Sequence, residues 1–192
     1  MDNTFRISLV EDAPMKVIET PLNDLYILEP TIHGDCRGFL FESYRDSLVS
    51  ELLGVSTPFV QDNYSHSCQN VLRGMHFQKV NPQGKLVHCL AGEVFDAVVD
   101  LRRDSLTYGQ SFSLSLNAES HRQLLIPKGF AHGFCVISDH AVVHYKCTAY
   151  YEPDHQGGVL WNDEELGIDW PVKDPILSPK DQTLPLLKYL SL

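Results

Sequence analysis

The sequence predicts an all-β protein: antiparallel strands folded into a jelly-roll sandwich or barrel, with a few short helices at its periphery. Three observations lead there. Short apolar runs alternate with polar residues at the period of two that suits a half-buried strand. Gly, Pro, Asn and Asp punctuate those runs at near-even spacing. Helical periodicity is scarce. The 192 residues are expected to form one domain, 1–192, because that length supports one sizeable core and no linker, repeat or low-complexity segment divides it.

In chain order, "RDSLVSELLG" (45–54) is the clearest helix. Asp46 is placed to cap its start, Val49, Leu52 and Leu53 form an apolar stripe, and Gly54 ends it. "VLRGMHFQ" (71–78) reads as a strand that carries Arg73 and His76 among apolar residues. A separation of three does not put both on one face of a regular strand, so an irregularity is expected at Gly74–Met75. "KLVHCL", "QLLI", "GFCVI" and "AVVHYKCTAYY" are further strands. "EVFDAVVDL" (93–101) places Phe95, Ala97, Val99 and Leu101 on one face, with Asp96 and Asp100 on the other. "SFSLSL" (111–116) sets Phe112, Leu114 and Leu116 against serines. Turns fall at "NPQG" (81–84), "AGE" (91–93), "PKG" (127–129) and "SD" (138–139). Near the C-terminus, "SPKDQ" offers a Ser N-cap with Pro179 in the first helical position.

Composition limits function. A formal net charge of −10 argues against a nucleic acid or an anionic membrane as the main partner. It leaves room for an anionic small substrate held by a local basic pocket. "MDNTFRISLVEDAPMK" has no basic start and no apolar run of signal length, and no window is long enough for a membrane helix. Cys36, Cys68, Cys89, Cys135 and Cys147 lack CxxC spacing and read as reduced thiols of a cytoplasmic protein.

Four histidines invite chemistry: His76, His88, His132 and His144. A metal-binding cupin needs an HxH pair, a carboxylate and a later His after a PxG turn. "PKGFAH" supplies the last part with Pro127, Gly129 and His132, but His76 is followed by Phe77 and Gln78, so the pair is missing. The acid–base reading uses the same residues differently. An inward histidine takes a proton if a carboxylate fixes its tautomer, and a second carrier must stand across the substrate. Tyr145, Tyr150 and Tyr151 are candidates, tyrosine being a competent acid where a neighbouring cation lowers its pKa. Lys85 and Arg73 are placed to stabilise an oxyanion or hold phosphates. Taken singly, each of these residues has an ordinary structural explanation.

Taken together they resemble a known family. "HGDCRGFLFESY" (33–44), "FVQDNYSHS" (59–67), "VLRGMHFQ", "QGKLVHCLAGEVFDAVVDLR" (83–102), "IPKGFAHGF" (126–134), "YKCTAYY" (145–151), "WNDEELGIDWP" (161–171) and "LSPKD" (177–181) resemble, in order, the dTDP-4-dehydrorhamnose 3,5-epimerases, sugar-nucleotide epimerases of the cupin fold. The resemblance implies a cupin jelly roll, commonly a homodimer, using neither metal nor organic cofactor. It implies inversion of C3 and C5 of dTDP-4-dehydro-6-deoxy-D-glucose, a dTDP-linked 4-keto-6-deoxyhexose, to give dTDP-4-dehydro-L-rhamnose. By position His76 matches the base, Asp181 its carboxylate, Tyr145 the opposite-face acid and Lys85 the cation near the C4 oxygen. Arg73 and His132 match active-site positions, Tyr151 is a further candidate for substrate binding, and Arg37, Glu42, Gln61 and Asn63 match residues that bind the nucleotide, in part from a neighbouring subunit.

Departures from the family pattern are modest: Met75 replaces a usual Leu, Phe77 a frequent Tyr and Leu160 a frequent basic residue. Three alternatives stay open: an epimerase acting at one carbon, a non-catalytic sugar-nucleotide-binding cupin, and a metal cupin. Asp181 also has a rival reading, as the acidic residue of a capping-box variant at "SPKD".

Overall fold

The computed structural model describes residues 7–8, 15–54 and 58–190, so most of the N-terminal stretch read above lies outside the described residues. In chain order the strands are β1 (Ile7–Ser8), β2 (Met15–Glu19), β3 (Tyr26–Pro30), β4 (His33–Asp35), β5 (Gly38–Leu40), β6 (Gln61–Cys68) and β7 (Leu72–Gln78). There follow β8 (Lys85–Ala91), β9 (Glu93–Asp100), β10 (Ser111–Asn117), β11 (Gln123–Ile126), β12 (Phe130–Val136), β13 (His140–Cys147) and β14 (Gln156–Gly158). One sheet runs β1-β2-β3-β11-β8-β13-β6, a second runs β10-β9-β12-β7-β14, and β4-β5 form a separate hairpin. Successive strands from β6 to β9 alternate between the two large sheets, the connectivity of a jelly roll.

The alternating strands explain the core. Val87 and Cys89 of β8, Val143 of β13 and Ala141 beside it face Val94 and Val98 of β9 and Phe134 of β12 between the sheets. β10 adds Leu116, with Phe112 and Leu114 packed at the margin. Each Val, Leu or Phe among them contributes about 1.5–3 kcal/mol when fully buried. The other face of β9 is buried too. Ala97, Val99 and Leu101 pack with Leu166 and are covered by Trp170, Leu187 and Leu190 of the C-terminal segment. Asp96 and Asp100 therefore face the interior side of the sheet rather than solvent, and both are fully buried.

Asp100 is held by Arg102, Ser105 and Thr107, and Arg102 also reaches Asp24 at 2.7 Å. Gly129 (φ +89°) makes room for this arginine: a Cβ there would lie 2.5 Å from Arg102 Cγ. The PKG turn is thus pinned against the loop that follows β9.

Helix α1 (Asp46–Leu52) packs Leu48 and Val49 on the outer face of the larger sheet. Its N-cap is Arg45, not Asp46, and no side chain caps it. The Asp46 carboxylate instead accepts the Tyr44 hydroxyl at 2.8 Å, which draws it away from the helix N–H groups. Gly54 ends the helix as expected, at φ +65°. The "SPKDQ" segment makes only a single 3₁₀ turn, Asp181–Thr183, in which Ser178 Oγ accepts the Asp181 N–H at 3.1 Å. All five cysteines are free.

Candidate active site

A cavity of about 480 Å³ opens between the sheets, a size suited to a small-molecule ligand. The strand period decides what lines it. On β8, Lys85 is in phase with the inward Val87 and Cys89; on β13, Tyr145 is in phase with Ala141 and Val143. His88 and His144 are out of phase, point to the opposite face and line a separate cleft with Phe41 and Tyr44. Two of the four candidate histidines are thereby removed from this cavity.

β7 brings both Arg73 and His76 to the cavity by breaking its own period. His132 of β12 stands opposite His76, and Phe134 stands opposite Arg73. Two steps on β12 are matched by three on β7, a bulge at Gly74–Met75. The bulge depends on close backbone approach. A Cβ on Gly74 (φ +136°) would meet Gly133 Cα at 2.5 Å, and one on Gly133 would meet the Arg73 carbonyl at 2.9 Å. The irregularity expected from sequence is therefore real, and it is built from two facing glycines.

The C-terminal segment delivers Asp181. Gly158 of β14 pairs with His76, and its missing side chain leaves space for Leu184, which would lie 2.7 Å from a Cβ there. Asp181, almost wholly buried, then accepts from His76 Nε2 at 2.6 Å. Burial alone would raise this carboxyl, but the bond to His76, with Ser178 and the Gly74 N–H, holds it below the usual value. The N-cap of this turn is Lys180, with no side-chain cap, so Ser178 is not the helix cap expected; its Oγ takes the Asp181 N–H while the Asp181 carboxylate turns to His76. With a carboxylate accepting the Nε2 proton, Nδ1 carries the lone pair.

Across the cavity, on the larger sheet, Lys85 Nζ lies 5.9 Å from the centre of the Tyr145 ring. Lys85 is half-buried and lines the cavity. Burial pushes its ammonium below the ordinary lysine value, with Cys147 and Asp96 opposing. Tyr145 corrects an expectation. Burial pushes its phenol up, Cys147 adds to this, and Arg73 offsets only part of it. The hydroxyl is thus a firmly protonated donor rather than an acidified one.

Gln61, Asn63, Arg73, His132 and Tyr151 also line the cavity. Arg73 Nε donates to Ser67 Oγ at 3.1 Å, which ties β7 to β6. Arg37 and Glu42 are not brought there. Arg37 follows β4 on an exposed hairpin and is taken up by Asp35, while Glu42 accepts from Arg45 at 2.7 Å. The hairpin lies over the outer side of the larger sheet, where Phe39 and Phe41 pack around His121. Among the polar lining residues that the motifs did not single out are Lys180, whose ammonium donates to Gln156 Oε1, and Gln156 itself. Lys180 is adjacent to Asp181, and that adjacency was the available signal. Among the described residues, no three His, Cys, Asp or Glu side chains gather in a way that could hold a metal ion.

Comparison with known proteins gives the same family as the motifs. A family model described as dTDP-4-dehydrorhamnose 3,5-epimerase matches residues 19–189. The chain belongs to the dTDP-4-dehydrorhamnose 3,5-epimerase family. A relative of that name from Salmonella typhimurium is 54% identical over 175 residues, which are 90% of this chain and 96% of the relative. Among solved structures, the epimerase RmlC from Legionella pneumophila, in complex with dTDP-4-keto-L-rhamnose, has a TM-score of 0.88 at 49% identity. The match covers 92% of this chain and 95% of that one. ChmJ, a 3'-monoepimerase from Streptomyces bikiniensis in complex with dTDP-quinovose, is more distant: TM-score 0.82 at 32% identity, covering 88% and 86%. A protein described as a one-carbon epimerase is thus similar to this chain in fold and sequence.

Proposed function

We propose that this protein epimerises dTDP-4-dehydro-6-deoxy-D-glucose at C3 and C5 to give dTDP-4-dehydro-L-rhamnose. The observation that carries the reading is the division of labour between the walls of one cavity. A carboxylate-held imidazole, His76–Asp181, stands on the smaller sheet, and a protonated phenol beside a buried ammonium, Tyr145 and Lys85, stands on the larger.

Both carbons flank the C4 ketone, so each loses its proton only if the enolate is stabilised. His76 Nδ1 takes the proton, and Asp181 supports the imidazolium that results. The electron pair moves onto the C4 oxygen, where the Lys85 ammonium meets the negative charge. Tyr145 returns a proton to the opposite face of the same carbon, which inverts it. The imidazolium then gives up its proton and the phenolate regains one before the second carbon reacts. Arg73, Gln61, Asn63, Tyr151 and His132 bind the sugar nucleotide. No step calls on a metal or an organic cofactor.

The reading takes the chain as one catalytic domain working in the cytoplasm as a homodimer. A second copy gives Arg37 and Glu42 a role: the exposed hairpin that carries them then reaches a neighbour's cavity instead of its own. The test is proton exchange in deuterated water, followed by NMR of dTDP-4-dehydro-6-deoxy-D-glucose. Deuterium entering at both C3 and C5 is expected. Entry at one carbon only would make the protein a single-carbon epimerase, and bound nucleotide without exchange would make it a binding protein.

A further inference from the structure

His76 is not the only imidazole in the cavity fastened through Nε2 to a buried carboxylate. Its strand partner His132 is held the same way, with Nε2 at 2.9 and 3.1 Å from the two oxygens of Asp96. Asp96 is fully buried and His132 nearly so, at 6% exposure. Among the described residues, Asp96 has no other hydrogen-bonding partner. A carboxylate this deep in an apolar sheet is costly unless it is satisfied, and both of its oxygens are turned to one ring nitrogen.

The bond has a chemical consequence. A carboxylate accepts only, so Nε2 must carry the proton. Burial pushes His132 below the ordinary histidine value, Lys85 and His76 add to this, and Asp96 offsets part of it, so the ring is neutral near pH 7.5. A neutral Nε2–H ring has its lone pair on Nδ1. That nitrogen has no protein partner, and it is not sealed off as His88 Nε2 is. The small exposure left to His132 lies on the cavity wall.

We propose that Asp96 is a positioning residue that locks His132 as a hydrogen-bond acceptor toward the cavity, matched to a hydroxyl of the bound hexose. The need for an acceptor follows from the other polar groups. Arg73 and Lys85 only donate, the Tyr145 hydroxyl gives its proton in the reaction, and the lining amide oxygens of Gln61, Asn63 and Gln156 already accept from the Tyr151 N–H, Gln61 Nε2 and Lys180, so His132 Nδ1 offers a sugar hydroxyl an acceptor that is not already engaged. The hexose as ligand rests on the function proposed above; the locked tautomer does not.

Long-range ¹H–¹⁵N NMR of the imidazoles, at pH 7.5 without substrate, tests the lock. His132 signals are assigned by their loss in His132→Gln. The wild-type ring should show the Nε2–H tautomer. In Asp96→Asn the amide can turn its NH₂ toward Nε2, which moves the ring proton to Nδ1 and makes an acceptor into a donor. The His132 tautomer should then switch, the His76 signals should stay, and kcat/KM should fall about 10- to 100-fold, the loss typical of an outer partner that orients a working ligand. A wild-type His132 that is Nδ1–H or imidazolium overturns the proposal whether or not the variant folds. An Asp96→Asn protein with unchanged tautomer and unchanged turnover overturns it as well. Absence of epimerisation by the wild type would count against the function, while the wild-type tautomer would still decide the role of Asp96.

Discussion

Gly133→Ala probes the bulge that presents Arg73 and His76 together. The added methyl would sit 2.7 Å from Met75 Sδ, 2.9 Å from the Arg73 carbonyl oxygen and 3.1 Å from Gly74 Cα. Met75 is wholly buried, so its sulfur has nowhere to swing. The Arg73 carbonyl is backbone and must retreat by about 0.5 Å to reach ordinary contact. Overpacking of this kind costs about 1–3 kcal/mol, which in a chain of this size lowers Tm by about 2–4 °C per kcal/mol. Activity should suffer more than stability. A displacement of about 1 Å at reacting groups costs about 10²-fold, so half of that should cost about 10-fold. Thermal denaturation and the rate of deuterium entry into the 4-keto sugar measure the two effects. A variant with wild-type Tm and wild-type exchange would refute the claim that facing glycines set the geometry of the site.

Lys85 predicts an alkaline limit to activity. Burial lowers its proton affinity, so the ammonium is lost at a pH below the ordinary lysine value of 10.5, and kcat should decline on that side. Tyr145 does not supply this limb, because burial moves its phenol the other way. Lys85→Ala should lower kcat about 10²–10³-fold, and a wild-type profile still flat at pH 10.5 would remove the lysine from the oxyanion role. Asp100 predicts an acid-dependent stability. Burial would raise it, but its bonds to Arg102, Ser105 and Thr107 prevail and draw it down to about 2. A depressed carboxyl stabilises the fold above its unfolded value near 3.8 and loses that contribution as pH falls toward about 2. Asp100→Asn should therefore cost about 2 kcal/mol in urea denaturation at pH 7 and almost nothing near pH 2; an equal cost at both would show that hydrogen bonding, not charge, holds the loop.

Strand period made much of the molecule legible in one dimension. The alternation in "SFSLSL" and "KLVHCL" fixed which side chains enter the core, and the phase of Lys85 with Val87 and of Tyr145 with Val143 follows from the same rule. The bulge between Arg73 and His76 could be expected because three residues cannot return to one face of a regular strand. Other features are not local, and no periodicity carries them. Asp181 meets His76 across 105 positions of chain, in a segment seated by Leu184 against Gly158 and by Ser178 on the Asp181 N–H. Asp96 looked like one of two acids on the polar face of a strand; that face, shared with Val94 and Val98, packs against the larger sheet, while the C-terminal segment covers the other. Arg37 and Glu42 show the reverse, since a motif match gives no information on which side of a sheet a hairpin folds. The sequence by itself determined strands β7 to β13, the alternation along them and the chemical types present. The tertiary structure alone decided which charges meet, because hydrogen bonds and burial depend on distances between segments that the order of residues does not set.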